Sequence, residues 1–407
     1  MPAKRAWLAV VGIGEDGYEG LGLEARDALA AAELLVGSAR QLALVPPGVG
    51  ERLTWPSPML PFIDDLLAHH RGRRVAVLAS GDPMLYGIGA VLARVVADEE
   101  LRVLPHPSAF ALACARLGWP EAEVTLISAV ARPLATVRRE LAPGRRLVVY
   151  SENGSTPSAL AALLVADGFG PSALHVMERI GGPRETRRDG IAATWTPEPC
   201  ADLNLVAVSC AAVLGARAFS ILAGLSDDAF EHDGALTKRE VRAATLARLG
   251  PLPGELLWDI GAGSGSIAIE WLRAHPSCRA VAFERDVTRA ARIARNAEAL
   301  GVPGLRVIVG SAPNAFAEAG PVPDALFIGG GLNADSTLLA HCWEALRPGG
   351  RLVANVVTVA GESVLAAAFA QHRGELVRIS ITRADAVGSV LGWRPLMPVT
   401  QWSAMKP

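Results

Sequence analysis

The stretch that most decides the fold is Leu256-Leu257-Trp258-Asp259-Ile260-Gly261-Ala262-Gly263-Ser264-Gly265-Ser266, an apolar strand followed by three alternating glycines. The next residues, Ile267-Ala268-Ile269-Glu270, open a helix. Glycines permit the tight turn from strand to helix, and they allow the backbone to approach a ligand that a Cβ atom would hold away. The pattern therefore predicts a nucleotide-binding turn rather than an ordinary strand-to-helix turn.

The spacing of the glycines indicates which nucleotide is bound. A dinucleotide fingerprint needs a glycine at position 266, where the chain has Ser266. The form G-x-G-x-G is the one that S-adenosylmethionine (SAM) methyltransferases use. Glu284 ends a second predicted strand at residues 279–283, where an acid can bind ribose hydroxyls. These features predict SAM as the cofactor.

Two later stretches extend the same interpretation. Residues 324–328 read as a fourth strand, and Pro348-Gly349-Gly350 leads into a fifth strand at residues 351–354. The predicted fold class of this half is therefore α/β, a Rossmann-like doubly wound SAM-methyltransferase sheet. Gly261, Gly263 and Gly265 are assigned to the methionine end of SAM and Glu284 to its ribose.

Length and composition limit the function classes. The 407 residues exceed one typical core, so two or three domains are expected. A net charge of −2 gives no overall electrostatic case for a nucleic-acid partner. The five cysteines lie far apart without a C-x-x-C pair, so neither a metal site nor a disulfide framework is expected, which fits a cytoplasmic protein.

The two stretches that could suggest membrane association or export favour neither. Residues 203–225 are apolar over a membrane-spanning length, but Asn204, Gly215 and Arg217 interrupt them, so we predict a strand followed by an alanine-rich linker. Residues 1–5 carry two charges and run at once into a glycine-broken apolar segment that is too short for a signal peptide. We therefore expect a soluble protein without a membrane partner, and the oligomeric state stays open, a homo-oligomer included.

The first half contains two glycine-rich turns. Gly12-Ile13-Gly14-Glu15-Asp16-Gly17 fits a dinucleotide fingerprint, but the next predicted strand, at residues 33–36, ends without an acid, so a NAD site is not predicted. A strand at residues 75–79 delivers the rigid loop Ser80-Gly81-Asp82-Pro83-Met84-Leu85-Tyr86-Gly87. Spacing alone leaves open whether Asp82 binds a ligand or caps a helix that begins near Met84.

This loop, the Gly12-Ile13-Gly14 turn and Pro107-Ser108-Ala109 resemble the tetrapyrrole (corrin/porphyrin) methylase family over residues 1–212. The resemblance implies a domain of two α/β halves that bind SAM in a cleft. The SAM contacts it implies are Gly12, Gly14, Asp82, Tyr86 and Ser108. Related corrin methylases carry Ser-Leu-His-Gly-Arg-Pro where this chain has Ser128-Ala129-Val130-Ala131-Arg132-Pro133, so the His-Gly pair is absent here.

Residues 213–407 form the second expected domain. Residues 224–234 are turn-rich and acidic and read as a linker, and Thr237-Lys238-Arg239-Glu240 predicts a capping box for a helix at 238–249. The stretch Asp233-Gly234-Ala235-Leu236-Thr237-Lys238, the glycine-rich turn and Phe327-Ile328-Gly329-Gly330-Gly331 closely resemble a decarboxylating corrin methyltransferase domain. The further cofactor contacts assigned in this domain are Thr237, Ala262, Ser264, Ser311 and Ala312.

Together the two resemblances imply SAM-dependent methylation of a precorrin macrocycle at carbons 5 and 15, with decarboxylation of the ring-C acetate, in cobalamin biosynthesis. The substrate bears many carboxylates, so basic or polar side chains should contact it; the candidates are Lys238, Arg239, Arg242, Asn355 and Arg132. Two alternatives remain open: an RNA methyltransferase acting through the C-terminal domain, and a first domain that is only a SAM-binding scaffold. No catalytic residue is assigned.

Overall fold

The structure is a computed structural model of the chain, and it describes residues 6–56, 58–59, 61–333 and 337–407. The prediction made for residues 1–5 lies outside this part. The chain divides into two compact units. The first unit holds the residues up to Arg132 together with Ala142–Arg217, and the second holds Pro133–Leu141 with Ala218–Pro407. The segment Pro133–Leu141, which was expected in the first domain, therefore belongs to the second unit.

The first sheet of the first unit is parallel, with strand order β3-β2-β4-β1-β5. Its central strands are continuous apolar runs because helices cover both faces of a parallel sheet. The elements are β1 Leu8–Ile13, α1 Leu23–Ala30, β2 Leu34–Gly37, α2 Ala39–Ala43, β3 Glu51–Thr54, α3 Pro61–His70, β4 Val75–Ser80, α4 Ile88–Leu92 and β5 Leu101–Leu104.

The second sheet of this unit is mixed, with order β6-β7-β10-β8-β9, and only β6 and β7 pair in parallel. The two sheets agree with the predicted two-part α/β domain. The elements are α5 Ala109–Leu117, β6 Val124–Ser128, β7 Arg146–Tyr150, α6 Thr156–Ala166, β8 Ala173–Glu178, β9 Thr186–Ile191 and β10 Asn204–Ser209.

The second unit is built on a seven-stranded sheet of order β13-β12-β11-β14-β15-β19-β16. The first five strands are parallel, and the order reverses between β11 and β14, which is where doubly wound sheets bind ligands. The predicted doubly wound class is confirmed. The strands are β11 Leu256–Ile260, β12 Arg279–Glu284, β13 Arg306–Val309, β14 Ala325–Ile328, β15 Arg351–Val356, β16 Glu375–Ile379, β17 Thr382–Val387, β18 Val390–Pro395 and β19 Val399–Met405.

Helices cover this sheet, and β17 and β18 form a separate hairpin. The helices are α7 Arg239–Leu249, α8 Ser266–Ala274, α9 Val287–Ala299, α10 Leu338–Ala345 and α11 Val359–His372. The core on one face of the sheet contains Trp258, Phe283 and Trp402. The core on the other face contains Trp271 and Phe327.

The apolar stretch at residues 203–225 forms β10 and then continues without a helix or strand as far as Asp227–Ala229, a short 3-10 turn. The prediction of a strand followed by a linker is confirmed. In the described part of the chain, no helix has the length and apolarity needed to cross a membrane. All five cysteines are free thiols.

Candidate active sites

The first candidate site lies where β11 passes into α8, and we call residues 261–265 the glycine loop. Gly261, Gly263 and Gly265 all adopt left-handed conformations, with φ of 70°, 61° and 77°. A Cβ atom on Gly263 would lie 3.2 Å from the carbonyl oxygen of Ala235, and one on Gly265 would lie 2.7 Å from the Ile293 side chain. The loop therefore needs glycine for both its conformation and its close neighbours.

Most of the backbone N–H groups of the loop already donate hydrogen bonds to other protein atoms. The N–H groups of Gly261 and Ala262 both donate to the carbonyl oxygen of Phe283, at 3.0 and 3.1 Å. The N–H of Gly265 donates to Ala262 at 2.8 Å. Most of the amide donors of the loop are therefore already used, and Gly261 is the loop residue whose backbone is exposed.

Glu284 ends β12 beside this loop, as its assignment required. One carboxylate oxygen accepts from the N–H of Gly263 at 2.9 Å, and the other accepts from the N–H of Asp286 at 3.0 Å. Its side chain is almost completely buried. Each carboxylate oxygen has a second lone pair, so Glu284 can fix the loop and still accept from a ribose hydroxyl.

Two buried polar atoms lie under the glycine loop without a hydrogen-bond partner in the described residues, namely Asp259 Oδ1 and Ser264 Oγ. The other carboxylate oxygen of Asp259 accepts from the N–H of Ala268 at 3.1 Å. Burial, reinforced by the nearby Glu284 carboxylate, raises the pKa of Asp259 to about 7. The sequence analysis assigned Ser264 to the cofactor site but did not assign Asp259, although Asp259 is the one charged residue in the strand at residues 256–260.

The segment after β13 adjoins the same edge of the sheet. The N–H of Gly310 donates to the backbone carbonyl oxygen of Glu284 at 3.0 Å, so Ser311 and Ala312 directly follow a residue that is bonded to the end of β12. Ser311 is exposed and Ala312 is half-buried. This placement is compatible with their assignment to the adenine.

The predicted capping box at the start of α7 is wrong. Lys238 is the N-cap residue and makes no side-chain cap, and the helix begins at Arg239. The carbonyl oxygen of Thr237 instead accepts from the Arg242 guanidinium, and the Glu240 carboxylate pairs with Arg383 at 2.6 Å. Thr237 and Lys238 are half-buried and Arg239 is exposed at this helix start.

Two predicted substrate contacts take structural roles. Arg242 is completely buried, and its Nε donates to Glu270 at 2.6 Å, so it has no surface to offer a substrate. The prediction for Arg242 is wrong because the guanidinium is the centre of a buried ion-pair network. Asn355 donates to Thr245 at 2.9 Å and accepts from Gln401 at 2.9 Å, which engages both ends of its amide.

The second candidate site lies in the first unit, at the carboxyl ends of β1 and β4. A Cβ atom on Gly12 would lie 2.1 Å from the carbonyl oxygen of Gly81, and one on Gly14 would lie 2.8 Å from Nε2 of His106. The two predicted loops therefore meet at these positions. His106, whose Nε2 lies 3.2 Å from a carboxylate oxygen of Asp16, was missed by the sequence analysis because no local pattern marks it.

The other predicted residues of this unit surround the same loop. Asp82 accepts from the N–H of Met84 at 2.8 Å, while the next helix begins only at Ile88, so Asp82 forms a tight turn and does not cap a helix. Ser108 is the N-cap residue of α5, where its hydroxyl accepts from the N–H of Ala111 at 3.0 Å. A Cβ atom on Gly81 would lie 3.0 Å from Cα of Ser108, so the two loops are in contact.

The comparisons with known proteins agree on both halves. The family model of the tetrapyrrole (corrin/porphyrin) methylases matches residues 8–193, and that of the precorrin methyltransferase domain matches residues 228–406. A protein from Sinorhizobium sp. named precorrin-6Y C(5,15)-methyltransferase (decarboxylating) is 49% identical over 98% of this chain and 96% of its own length. The chain belongs to the decarboxylating precorrin-6Y C(5,15)-methyltransferase family.

Two shorter relatives of the chain are each named for methylation at only one carbon. A probable cobalt-precorrin-6B C(15)-methyltransferase (decarboxylating) from Saccharolobus solfataricus is 32% identical over 40% of this chain and 82% of its own length. A cobalt-precorrin-7 C(5)-methyltransferase from Salmonella typhimurium is 32% identical over 44% of this chain and 87% of its own length. None of these relatives is named for an action on RNA.

The residues of the glycine loop fit the SAM that methyltransferases of the precorrin-6Y family require. The test is the Glu284 carboxylate beside the loop and the two buried oxygen atoms, Asp259 Oδ1 and Ser264 Oγ, that have no partner among the described residues. A carboxylate at Glu284 suits ribose hydroxyls, and an approachable glycine backbone suits the compact methionine end. The donor set contains no feature that conflicts with this ligand.

Proposed function

We propose that the chain uses SAM to methylate a precorrin macrocycle at carbons 5 and 15 and removes carbon dioxide from the ring-C acetate, converting precorrin-6B to precorrin-8 in cobalamin biosynthesis. The observation that carries this proposal is the likeness to a relative named for both methylations and the decarboxylation over 98% of the chain. The chain is thus a SAM-dependent C-methyltransferase.

We assign carbon 5 to the first domain, at residues 1–212, and carbon 15 with the decarboxylation to the second, at residues 213–407. Two observations support this division. The two family models match separate halves of the chain. The two single-activity relatives each match less than half of it and divide the carbon-5 and carbon-15 reactions between them.

For methyl transfer, the protein mainly has to align the methyl group of SAM with the acceptor carbon and exclude water from the site. When bound, SAM supplies a methyl group that is already activated on a sulfonium. Holding an acceptor carbon in line with such a group can lower the activation barrier by roughly 7–11 kcal/mol. No activated serine or cysteine is therefore needed. For the decarboxylation, the conjugated macrocycle can itself accept the electron pair that the departing carboxyl group leaves behind.

In the second unit, the glycine loop and Glu284 would hold SAM, with Ser311 and Ala312 beside the adenine. Lys238 and Arg239 stand at the start of α7, next to the segment that contains Ala235 and closes over Gly263. The ammonium of Lys238 has no ion-pair partner among the described residues. A cation in that position can bind a carboxylate of the macrocycle.

The test is a single incubation of the purified full chain with trideuteromethyl-labelled SAM and precorrin-6B, followed by mass spectrometry. We expect a product that has gained two labelled methyl groups and lost one carboxyl group. A product with labelled methyl groups but an intact carboxyl group would remove the decarboxylation from the proposal. Failure of labelling, in a preparation that binds SAM, would show that the substrate assignment is wrong.

A further inference from the structure

Arg132 of the first unit lies over an aromatic ring in a strained setting. Its guanidinium carbon is 5.0 Å from the centroid of the Tyr86 ring. Both side chains are largely exposed, and Tyr86 has 53% of its surface open to solvent. In the described part of the chain, the Arg132 guanidinium makes neither an ion pair nor a hydrogen bond. Its N–H donors are therefore unused by the protein.

The backbone around this contact is unusual. Only four described residues other than glycine have a positive φ, and two of them are here: Tyr86 at 56° and Ala131, next to Arg132, at 52°. Left-handed backbone is unfavourable for a residue with a Cβ atom, and residues held in it cluster at active sites and ligand clamps. The N–H of Ala131 donates to the Glu152 carboxylate, which holds this turn.

Further contacts fix the ring on which Arg132 rests. Tyr86 packs edge-to-face against Tyr150, with ring centroids 6.4 Å apart. The Tyr150 hydroxyl in turn accepts from the N–H of Phe110 at 3.0 Å, on the helix that Ser108 caps. Tyr86 is thus tied to the loop that carries Asp82 on one side and to the start of α5 on the other. The position of the Tyr86 ring under Arg132 is therefore fixed by contacts within this candidate site.

We propose that Arg132, seated on the Tyr86 ring, is a carboxylate clamp that selects and orients the tetrapyrrole at the first methyl-transfer site. A guanidinium on an aromatic face keeps its planar edge free for two parallel hydrogen bonds, and a carboxylate is the group that this edge fits. The inference rests on the proposed function, since the macrocycle supplies the acetate and propionate groups. Tyr86 then serves as a platform for Arg132.

The same chemistry could recognise the methionine carboxylate of SAM, so the experiment measures both ligands. The full-length wild type and the R132K and Y86A variants are compared in the step that adds the carbon-5 methyl group. The KM for precorrin-7, the cobalt-free form of the acceptor in the name of the carbon-5 relative, is measured separately from the KM for SAM. R102K is the matched control, since Arg102 is an exposed arginine of the same unit paired with Glu24.

We expect R132K to raise the KM for precorrin-7 roughly 10- to 100-fold, the effect of losing a charge-assisted hydrogen bond, with little change in kcat. Y86A should have a similar effect, whereas R102K should resemble the wild type because it leaves both Arg132 and the Tyr86 ring in place. An unchanged KM for precorrin-7 in R132K would overturn the proposal. So would a rise confined to the KM for SAM, which would assign the clamp to that carboxylate instead.

The experiment distinguishes failure of the Arg132 proposal from failure of the proposed function. If the clamp is wrong but the function is right, the wild type and R132K both add the carbon-5 methyl group and have the same KM for the tetrapyrrole. If the function is wrong, the wild type itself adds none. Carbon-15 methylation and decarboxylation of precorrin-6B by R132K provide an internal measure that the protein is folded, and they should continue at the wild-type rate.

Discussion

Gly263 leaves no room for a side chain at the centre of the glycine loop. Its φ of 61° is strained for any other residue, and the Ala235 carbonyl oxygen lies 3.2 Å from the place of a Cβ atom. We expect Gly263→Ala to cost about 1–2 kcal/mol in loop conformation and to weaken SAM binding in the second unit about tenfold or more. Isothermal calorimetry should show one of two SAM sites weakened.

The matched control for this variant is Gly304→Ala. Gly304 lies in the same unit, and a Cβ atom there would meet nothing within 4 Å. This variant should bind SAM as the wild type does and change stability by less than about 0.5 kcal/mol. Equal SAM affinity in the two variants would show that the glycine loop does not hold SAM.

Asp259 makes stability depend on pH. Burial raises its pKa to about 7 from an ordinary value of 3.8, so between these values the folded chain retains a proton that the unfolded chain has released. The unfolding free energy should therefore fall as pH rises from about 4 to about 7, by no more than about 4 kcal/mol, and stay low above the folded pKa. Urea unfolding at pH 5 and pH 8 measures this change.

Asp259→Asn keeps the shape of the side chain and removes the titration. The oxygen of the amide can still accept from the N–H of Ala268, as the Oδ2 atom of Asp259 does at 3.1 Å. The variant should lose less stability between the two pH values than the wild type does. Parallel losses in the two proteins would mean that this carboxyl group is ionised throughout.

Helices α7 and α8 are joined by the buried pair of Arg242 and Glu270. The Glu270 carboxylate also accepts from the N–H groups of Gly224 and Leu225, at 2.6 and 3.1 Å, so it ties the incoming linker to both helices. Arg242→Met leaves a buried carboxylate without its cation, and we expect a loss of roughly 3–5 kcal/mol, seen as a lower Tm. Adding Glu270→Gln should recover a large part of that loss.

This double variant separates a structural pair from two independent effects. A double variant whose loss equals the sum of the single losses would contradict the pairing. The KM for the tetrapyrrole should stay unchanged in whatever folded protein these variants yield, since Arg242 is fully buried. A raised KM without a change in Tm would restore Arg242 as a substrate contact.

The start of α7 is a place where the local sequence pattern gave a wrong prediction. Four parallel strands of the second unit, β11, β12, β14 and β15, and the glycine loop follow from continuous apolar runs and glycine spacing. The structure has these strands within two residues of the predicted bounds. The capping box at Thr237 failed because distant residues decide it: Arg383, far along the chain, takes the Glu240 carboxylate. His106 was missed for the same reason, since its neighbours are set by the sheet.

At the scale of the whole molecule, the chain is two compact units, each with its own sheets and its own glycine-lined loop. The doubly wound class of the second unit could be predicted from its alternation of strands and helices, whereas the two-part fold of the first unit was expected only from the family resemblance. The grouping of Pro133–Leu141 with the second unit could not be predicted, because neither its composition nor its spacing distinguishes it from the residues around it. The proposed division of labour assigns one methyl transfer to each unit.

The most direct test of that division compares the full-length Asp82→Ala and Gly263→Ala variants, given precorrin-6B and labelled SAM and examined by mass spectrometry. Asp82→Ala should yield a product with the carbon-15 methyl group and without the ring-C carboxyl group, but lacking the carbon-5 methyl group. Gly263→Ala should slow both the carbon-15 methylation and the decarboxylation. An unimpaired decarboxylation in Gly263→Ala, or a normal carbon-5 methylation in Asp82→Ala, would contradict the account.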